Sequence, residues 1–367
     1  MMPPILWRTS FEGTLLLLAF AGIFTRMTMA GFAKLPLVKW GFALLSLVLV
    51  GSHLLWLWGP TNPSKNWGCT VACYSLLLLL FLAASLPFAA LVRLGAKRAL
   101  KVKAIAPDAP RPVGREITRR TVLNAATAVV PLVAVSVGAR GFINGVALPE
   151  LPRILLSSPT LPAALEGLMI LQLSDLHLGV SRHVKDLERF VDRLGAQGIS
   201  PDLIVFTGDL ADDLGQIVPA FRAVERLKPR LGIHSSIGNH EYLHGIREAR
   251  AQYDRAHSNL LMGQGTSIRV KDAVIHLAGA DDPLSVDSEI SGFMRRTTEQ
   301  ALRDRPAGAY SVLLSHRPEG FVAAAQSKVD LTLSGHTHGG QIGFNGKSAF
   351  QPLFPDGYLW GRYQRGA

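Results

Sequence analysis

Two histidines flank one threonine in Gly335-His336-Thr337-His338-Gly339-Gly340, with glycines on both sides. Neutral imidazole is a common metal ligand. The glycines let the backbone turn sharply enough to bring both rings near one point. Just upstream, Val329-Asp330-Leu331-Thr332-Leu333 alternates in polarity, which predicts a short strand running into that turn. An HxH pair alone is weak evidence for a metal. Four further clusters of related chemistry stand upstream, each at the end of an apolar run. They are Ser174-Asp175-Leu176-His177, Thr207-Gly208-Asp209, Gly238-Asn239-His240-Glu241 and Ser315-His316-Arg317-Pro318-Glu319. A single strand-end Asp reads most simply as a helix N-cap. Five such clusters in succession, built from Asp, His and Asn, are not explained as caps.

The elements that must position these clusters alternate between strand and helix patterns. Residues 168–173, 203–206, 232–237 and 310–314 read as strands, and 183–194, 215–227, 245–257 and 289–303 as helices. Residues 259–261, 266–270 and 274–278 are shorter strands joined by Gly263, Gly265 and Lys271-Asp272. Each polar cluster therefore falls at the carboxyl end of a predicted strand, where open α/β sheets bind ligands.

The chain has 367 residues, enough for more than one domain. Hydrophobic residues make up 48% and charged residues 18%, and the apolar excess lies at the front. Residues 40–58 and 69–92 are nearly unbroken apolar runs, each long enough for a bilayer core, which takes about 20 residues. Trp40, Trp56, Trp58 and Trp67 sit near their ends, where amphipathic rings prefer the membrane interface. Two runs without a polar face do not fit the helices of a soluble domain. Residues 13–24 form a shorter run followed by Arg26. It reads either as a spanning helix ending near Ala33 or as an interfacial one. Residues 1–92 thus hold about three transmembrane helices.

Residues 93–120 carry Arg93, Lys97, Arg98, Lys101, Lys103, Arg111, Arg115, Arg119 and Arg120 against Asp108 and Glu116. Pro107, Pro110 and Pro112 mark this stretch as an extended linker. It holds most of the formal charge of +11, so the basic balance reflects a cytoplasmic loop, and no nucleic-acid partner is expected. Thr118-Arg119-Arg120-Thr121-Val122-Leu123 then leads into an apolar run through Val137. Residues 121–139 read either as a fourth membrane segment or as a twin-arginine-like export signal. Both put the following chain on the same side. Lys65 is the single basic residue between the second and third runs, so that loop lies outside and the chain after Arg140 is expected to be extracytoplasmic. The expected location is the cell inner membrane, with several passes. Residues 140–165 read as a tether and 166–367 as the domain that carries the clusters. Cys69 and Cys73 stand at helical i,i+4 spacing, which rarely suits a disulfide, and read as apolar fillers.

Asp175-Leu176-His177, Gly208-Asp209, Gly238-Asn239-His240-Glu241, His316 and Gly335-His336-Thr337-His338 resemble, in order and spacing, the motifs of the calcineurin-like metallophosphoesterases over about residues 166–345. Ser315-His316-Arg317-Pro318-Glu319, Gly279-Ala280-Asp281-Asp282-Pro283 and Gly339-Gly340-Gln341 look like the membrane-associated bacterial branch. The resemblance implies an α/β fold, a four-layer α-β-β-α sandwich of two mixed sheets face to face between helices. Here an α-helical transmembrane region precedes it. It also implies two metal ions. Asp175, His177 and His338 would hold the first, Asn239, His316 and His336 the second, and Asp209 would bridge them. Asp, His and Asn without cysteine suit Mn, Fe or Zn outside a closed thiolate site. The resemblance further implies that a hydroxide shared by the ions attacks phosphorus in line. His240, not a ligand, would protonate the leaving oxygen or stabilise the charged transition state. Glu241 is expected to support His240 or its loop. His244 and Arg317 are candidates for touching the substrate, whereas His183, His234, His257 and His276 read as surface or packing residues.

Members of the family continue past a segment like Gly357-Tyr358 into strands that complete the second sheet. This sequence ends at Ala367, so the closing strands are expected to be missing and a sheet edge unpaired. The expected function is membrane-anchored hydrolysis of a phosphodiester or lipid-linked phosphate. The alternative is a catalytically impaired metal-binding membrane protein serving assembly or sensing. A transporter role is disfavoured, because the apolar runs hold no carboxylate–lysine pair.

Overall fold

The computed structural model describes residues 4–59, 62–102, 119–180, 182–283, 289–340, 343–344, 347–348, 350–353 and 357–365. The chain divides into two compact units, Pro3–Ala147 and Leu148–Ala367.

The first unit is helical: α1 (Pro4–Thr28), α2 (Ala30–Ala33), α3 (Pro36–Trp58), α4 (Asn62–Val102) and α5 (Arg119–Val146). Four of these helices contain stretches long and apolar enough to cross a membrane: Arg8–Thr28, Pro36–Trp58, Trp67–Arg98 and Thr121–Gly145. Leu16, Leu37, Trp40, Leu47 and Leu132 face outward, the pattern expected where the surrounding solvent is lipid. The packed side is small or tightly fitted. A Cβ on Gly68 would come within 2.3 Å of the Trp56 amide nitrogen, so α3 and α4 approach closely there. Residues 13–24 belong to a full-length helix, which favours the spanning reading over the interfacial one. Two boundaries differ from expectation. The basic stretch stays helical through Val102, and α5 runs to Val146, well into the expected tether. Most of the expected linker, with Lys103, Arg111, Arg115 and its prolines, lies outside the described residues.

The second unit contains two four-stranded sheets. β1 (Ile170–Leu173), β2 (Leu203–Thr207), β3 (Ile233–Ser236) and β4 (Asn259–Leu261) are parallel, in that order. The helices α6 (Val184–Ala196), α7 (Ile217–Glu225) and α8 (Asn239–Arg255) make the crossovers that parallel pairing requires. β5 (Gln264–Val270) and β6 (Ala273–Gly279) form an antiparallel hairpin, and β7 (Tyr310–Leu314) and β8 (Leu331–Leu333) continue that sheet in parallel. Between them run α9 (Ile290–Ala301) and α10 (Gly320–Gln326). A two-stranded ribbon, β9 (Gly343–Phe344) and β10 (Lys347–Ser348), follows.

The layers follow from strand periodicity. On β2, Ile204 and Phe206 pack with Phe221 and Tyr253 on the helix side, while Leu203 and Val205 pack with Ile275, Leu277, Val312 and Leu314 of the other sheet. On β7, Leu313 faces away from that shared layer and packs with Met294, Ala301 and Ala324. Helices, sheet, sheet and helices therefore stack as α-β-β-α. Full burial of a side chain such as Phe206 contributes roughly 1.5–3 kcal/mol, which explains why β2 reads as an unbroken apolar run. α8 begins ahead of the helix expected from Gly245, because the chain kinks at that glycine (φ 114°) and Asn239–His244 already turn helically. α10 was not expected from the sequence.

Candidate metal centre

All five clusters leave the carboxyl ends of strands: β1, β2 and β3 in the first sheet, β7 and β8 in the second. Backbone bonds lash the exits together. The Asp175 N–H donates to Gly208 O (3.2 Å), His177 N–H to Asp209 O (3.1 Å) and Gly335 N–H to His316 O (3.0 Å). Asp175, His177, Asp209, His336 and His338 all adopt positive φ, between 46° and 72°. L-residues enter that region at a cost, and such strain collects at functional sites. Glycines make room for the cluster. A Cβ at Gly335 would sit 1.9 Å from Ser174 Oγ and 2.1 Å from Asp175 Oδ2, and one at Gly238 would sit 2.2 Å from Asp209 Oδ1.

Two candidate ligand groups result. In the first, His338 Nε2 lies 3.4 Å from Asp175 Oδ1 and 3.2 Å from His177 Nε2. In the second, His316 Nε2 lies 3.1 Å from Asp209 Oδ2, 3.2 Å from His336 Nδ1 and 3.2 Å from Asn239 Oδ1. Asp209 Oδ2 is also 3.7 Å from His177 Nε2, so one carboxylate oxygen faces both groups. The second group is the deeper. The His316 side chain is fully buried, whereas that of His338 is 36% exposed. The structure thus gathers Asp175, His177, Asp209, Asn239, His316, His336 and His338 into one region.

His240 stands apart from both groups. Its Nδ1 lies 2.7 Å from Asp212 Oδ1, its Nε2 4.0 Å from Asp209 Oδ2, and its backbone N–H donates to Asp209 Oδ1 at 2.9 Å. Asp212 was not singled out in the sequence. The same Oδ1 also lies 3.2 Å from His177 Nδ1 and 3.2 Å from His244 Nε2. The signal that pointed to it is a second carboxylate shortly after Asp209. His177, Asp212 and His240 form a third cluster close enough to hold an ion. These contacts have hydrogen-bond lengths and use Nδ1 of His177 and His240, the arrangement in which an outer carboxylate orients imidazoles. His244, a candidate for touching substrate, is instead buried against Asp212. Arg317 is likewise buried, donating to Asp282 and His336. Glu241 is fully buried and accepts the N–H groups of Asp209, Leu210 and Gly238, which holds the loops as expected. Gln341 lies outside the described residues.

The electrostatics divide the four candidate histidines, with His336 and His338 lowered and His316 and His177 raised. Burial first, then the Arg317 and His316 charges, pushes His336 down to about 4. Burial also lowers His338. Both imidazoles are therefore neutral, the form that ligates. Burial opposes charge on His316, but the Asp209 carboxylate overrides it and holds the imidazolium up to about 9. Asp209 and Asp212 are lowered despite burial, by hydrogen bonds and charge from the surrounding histidines. The donor set is imidazole, carboxylate and carboxamide, and imidazole nitrogens of different residues converge to 3.2 Å. These residues fit a pair of borderline metal ions.

The sequence profile of the calcineurin-like phosphoesterases matches residues 168–340. An uncharacterized metallophosphoesterase of Aquifex aeolicus is 32% identical over 187 residues, covering 50% of this chain and 68% of that protein. This chain belongs to the calcineurin-like phosphoesterase family. Within the family, an uncharacterized metallophosphoesterase of Campylobacter jejuni is 32% identical over 205 residues, 54% of this chain and 50% of its own length. A transmembrane protein with metallophosphoesterase domain from Danio rerio is 29% identical over 315 residues, 82% of this chain and 67% of its own length. This chain thus spans about half to two thirds of these curated relatives. The transmembrane relative, together with the four apolar helices, marks this calcineurin-like phosphoesterase as a membrane protein.

Proposed function

We propose that the protein is a membrane-anchored phosphoesterase that uses two metal ions, Mn, Fe or Zn, to hydrolyse a phosphodiester or a lipid-linked phosphate. One observation carries this reading: Asp209 Oδ2 faces His316 Nε2 at 3.1 Å and His177 Nε2 at 3.7 Å, between two separate ligand groups. Asp175, His177 and His338 would hold one ion, Asn239, His316 and His336 the other, and Asp209 both. When bound, such a pair supplies Lewis acidity toward phosphoryl oxygens and activates water near neutral pH. His240 holds its Nδ1 proton against Asp212 and presents Nε2 to the site; with a second proton on Nε2 it would deliver that proton to the leaving oxygen or stabilise charge on it, ending as the neutral Nδ1–H ring. Tethering to the bilayer favours substrates at the membrane surface. The basic stretch after Arg93 argues that the site lies outside the cytoplasm.

The test is hydrolysis of bis-p-nitrophenyl phosphate by the full-length protein in detergent with added manganese. The expected result is turnover abolished by chelator and restored by metal. His240→Ala is expected to keep both ions and lose most turnover. Two bound ions without turnover in the wild-type protein would instead indicate the impaired metal-binding reading.

A further inference from the structure

Gly279-Ala280-Asp281-Asp282-Pro283 leaves the end of β6 and contributes nothing to the candidate ligand groups, yet it places a buried carboxylate on the arginine that touches one of them. Asp282 is 2% exposed. Its Oδ1 accepts from Arg317 Nε at 3.1 Å, and its Oδ2 has no partner among the described residues. Arg317, itself buried, also donates to Pro283 O at 3.3 Å and contacts His336 Nε2 through NH1 at 2.8 Å.

A guanidinium has donors only, so His336 Nε2 must be the acceptor in that contact. The other ring nitrogen, Nδ1, points at His316 Nε2 inside the second ligand group. A neutral imidazole that gives Nδ1 to a metal carries its proton on Nε2. Arg317 NH1 and His336 Nε2 would then be two donors face to face. An arginine donor on Nε2 is the wrong partner for His336 as an Nδ1 ligand. A group with a spare acceptor on the same guanidinium is Asp282, whose second oxygen is buried and unsatisfied, a costly arrangement unless something uses it.

We propose that Asp282 is the positioning residue for the second metal. When His336 ligates through Nδ1, the ring gives up its Nδ1 proton and carries its single proton on Nε2; Arg317 then gives up its contact with that nitrogen, and the new Nε2–H is received by the free oxygen of Asp282. This rests on the two-metal reading. The Gly279–Pro283 motif and the arginine of Ser315-His316-Arg317 then act jointly, exchanging partners on a single ring nitrogen.

The experiment titrates manganese into chelator-stripped full-length protein in detergent and reads free Mn by electron paramagnetic resonance. Wild type is expected to take up two ions. Asp282→Leu is expected to weaken one of them about 10–100-fold, the usual effect of losing an outer carboxylate, and to spare the other. Arg317→Met is expected to leave that site as tight as wild type or tighter, because a competing donor is gone. If Arg317 simply props His336 in place, Arg317→Met weakens the site as much as Asp282→Leu does, and the proposal is overturned. Unchanged binding in Asp282→Leu overturns it too. Asp282→Leu leaves a buried unpaired guanidinium, so the double variant Asp282→Leu/Arg317→Met, which buries no charge, repeats the measurement and is expected to show the same loss. A crystal structure of the manganese-loaded wild type is expected to show His336 Nε2 bonded to Asp282 and not to Arg317; the reverse sinks the idea. Uptake of a single ion by wild type defeats the two-metal reading, and this proposal with it.

Discussion

Asp212 Oδ1 receives the Nδ1–H of His240 at 2.7 Å, and that contact decides which edge of the imidazole meets the ligand cluster. With the proton held on Nδ1, Nε2 is left to face Asp209 across 4.0 Å. The same oxygen contacts His177, so one carboxylate sets the orientation of a proposed ligand and of the proposed proton donor together.

Asp212→Asn keeps the shape but replaces a charge acceptor with an amide that can also donate. His240 then has no reason to keep its proton on Nδ1. The expected outcome is a loss of about 10²–10⁴ in kcat, the scale of general acid–base catalysis, with the same KM and an altered pH–rate profile. Steady-state rates across pH, together with metal analysis, check it. A full loss of both ions would instead place Asp212 among the ligands.

His316 is raised to about 9 and His177 is also raised, each against burial and by a neighbouring carboxylate. A raised folded-state pKa gives stability that is complete below the unfolded value of about 6.5 and is lost as pH rises through the folded one. Metal-free protein should therefore melt at progressively lower temperature between about pH 6.5 and 9. His336, lowered to about 4, opposes that slope near pH 6.5, where its unfolded form still carries part of a proton, and adds nothing once pH is well above 6.5. Ligation must displace the His316 proton, so metal affinity should rise with pH and binding should release protons. Calorimetry in buffers of different ionisation enthalpy reads that release; none in this window means His316 is not a ligand.

Gly335→Ala puts a methyl group where Ser174 Oγ and Asp175 Oδ2 now lie, so a proposed ligand has to move. The expected result is weaker binding of one ion. Gly308→Ala is the control. It shares positive φ (74°) but faces open space, so it should cost backbone strain of about 1 kcal/mol and no metal. Manganese titration and thermal melts of the two variants separate the cases.

Glu241→Ala strands three backbone N–H groups, those of Asp209, Leu210 and Gly238, in a dry setting. Each unsatisfied donor costs roughly 1–3 kcal/mol. A drop of several kcal/mol in unfolding free energy is expected, measured by denaturant titration. A loss below about 1 kcal/mol would mean that water replaces the carboxylate.

Orientation is tested by fusing a reporter that is active only outside the cytoplasm after Arg365. Activity there, and none when the fusion follows Lys101, is the outcome that the charge distribution predicts. The opposite pattern inverts the topology.

Much of the α/β unit could be read from residue order alone. Residues 203–206 were legible as a buried strand because both faces of β2 are covered and these four side chains are apolar. The apolar runs at the front were legible because helices in lipid keep hydrophobic residues on every side. β8 was harder. Val329 and Asp330 continue its alternation but lie outside the paired strand, which starts at Leu331. α10 escaped because Gly320–Gln326 is a seven-residue helix, too short to show a clear apolar stripe.

The sequence by itself determined the kinds of ligand, their order and the strands that end in them, because hydrophobic period and turn chemistry are local properties. It could not say which nitrogen of a ring faces a partner, or that Asp212 serves three histidines as far apart in the chain as His177 and His244. Nor could it say that the donor on His336 is an arginine while a carboxylate nearby goes unpaired. Those facts exist only once two sheets are stacked and their strand ends meet. Hydrogen-bond geometry depends on separations of a few tenths of an ångström between residues that the chain keeps far apart.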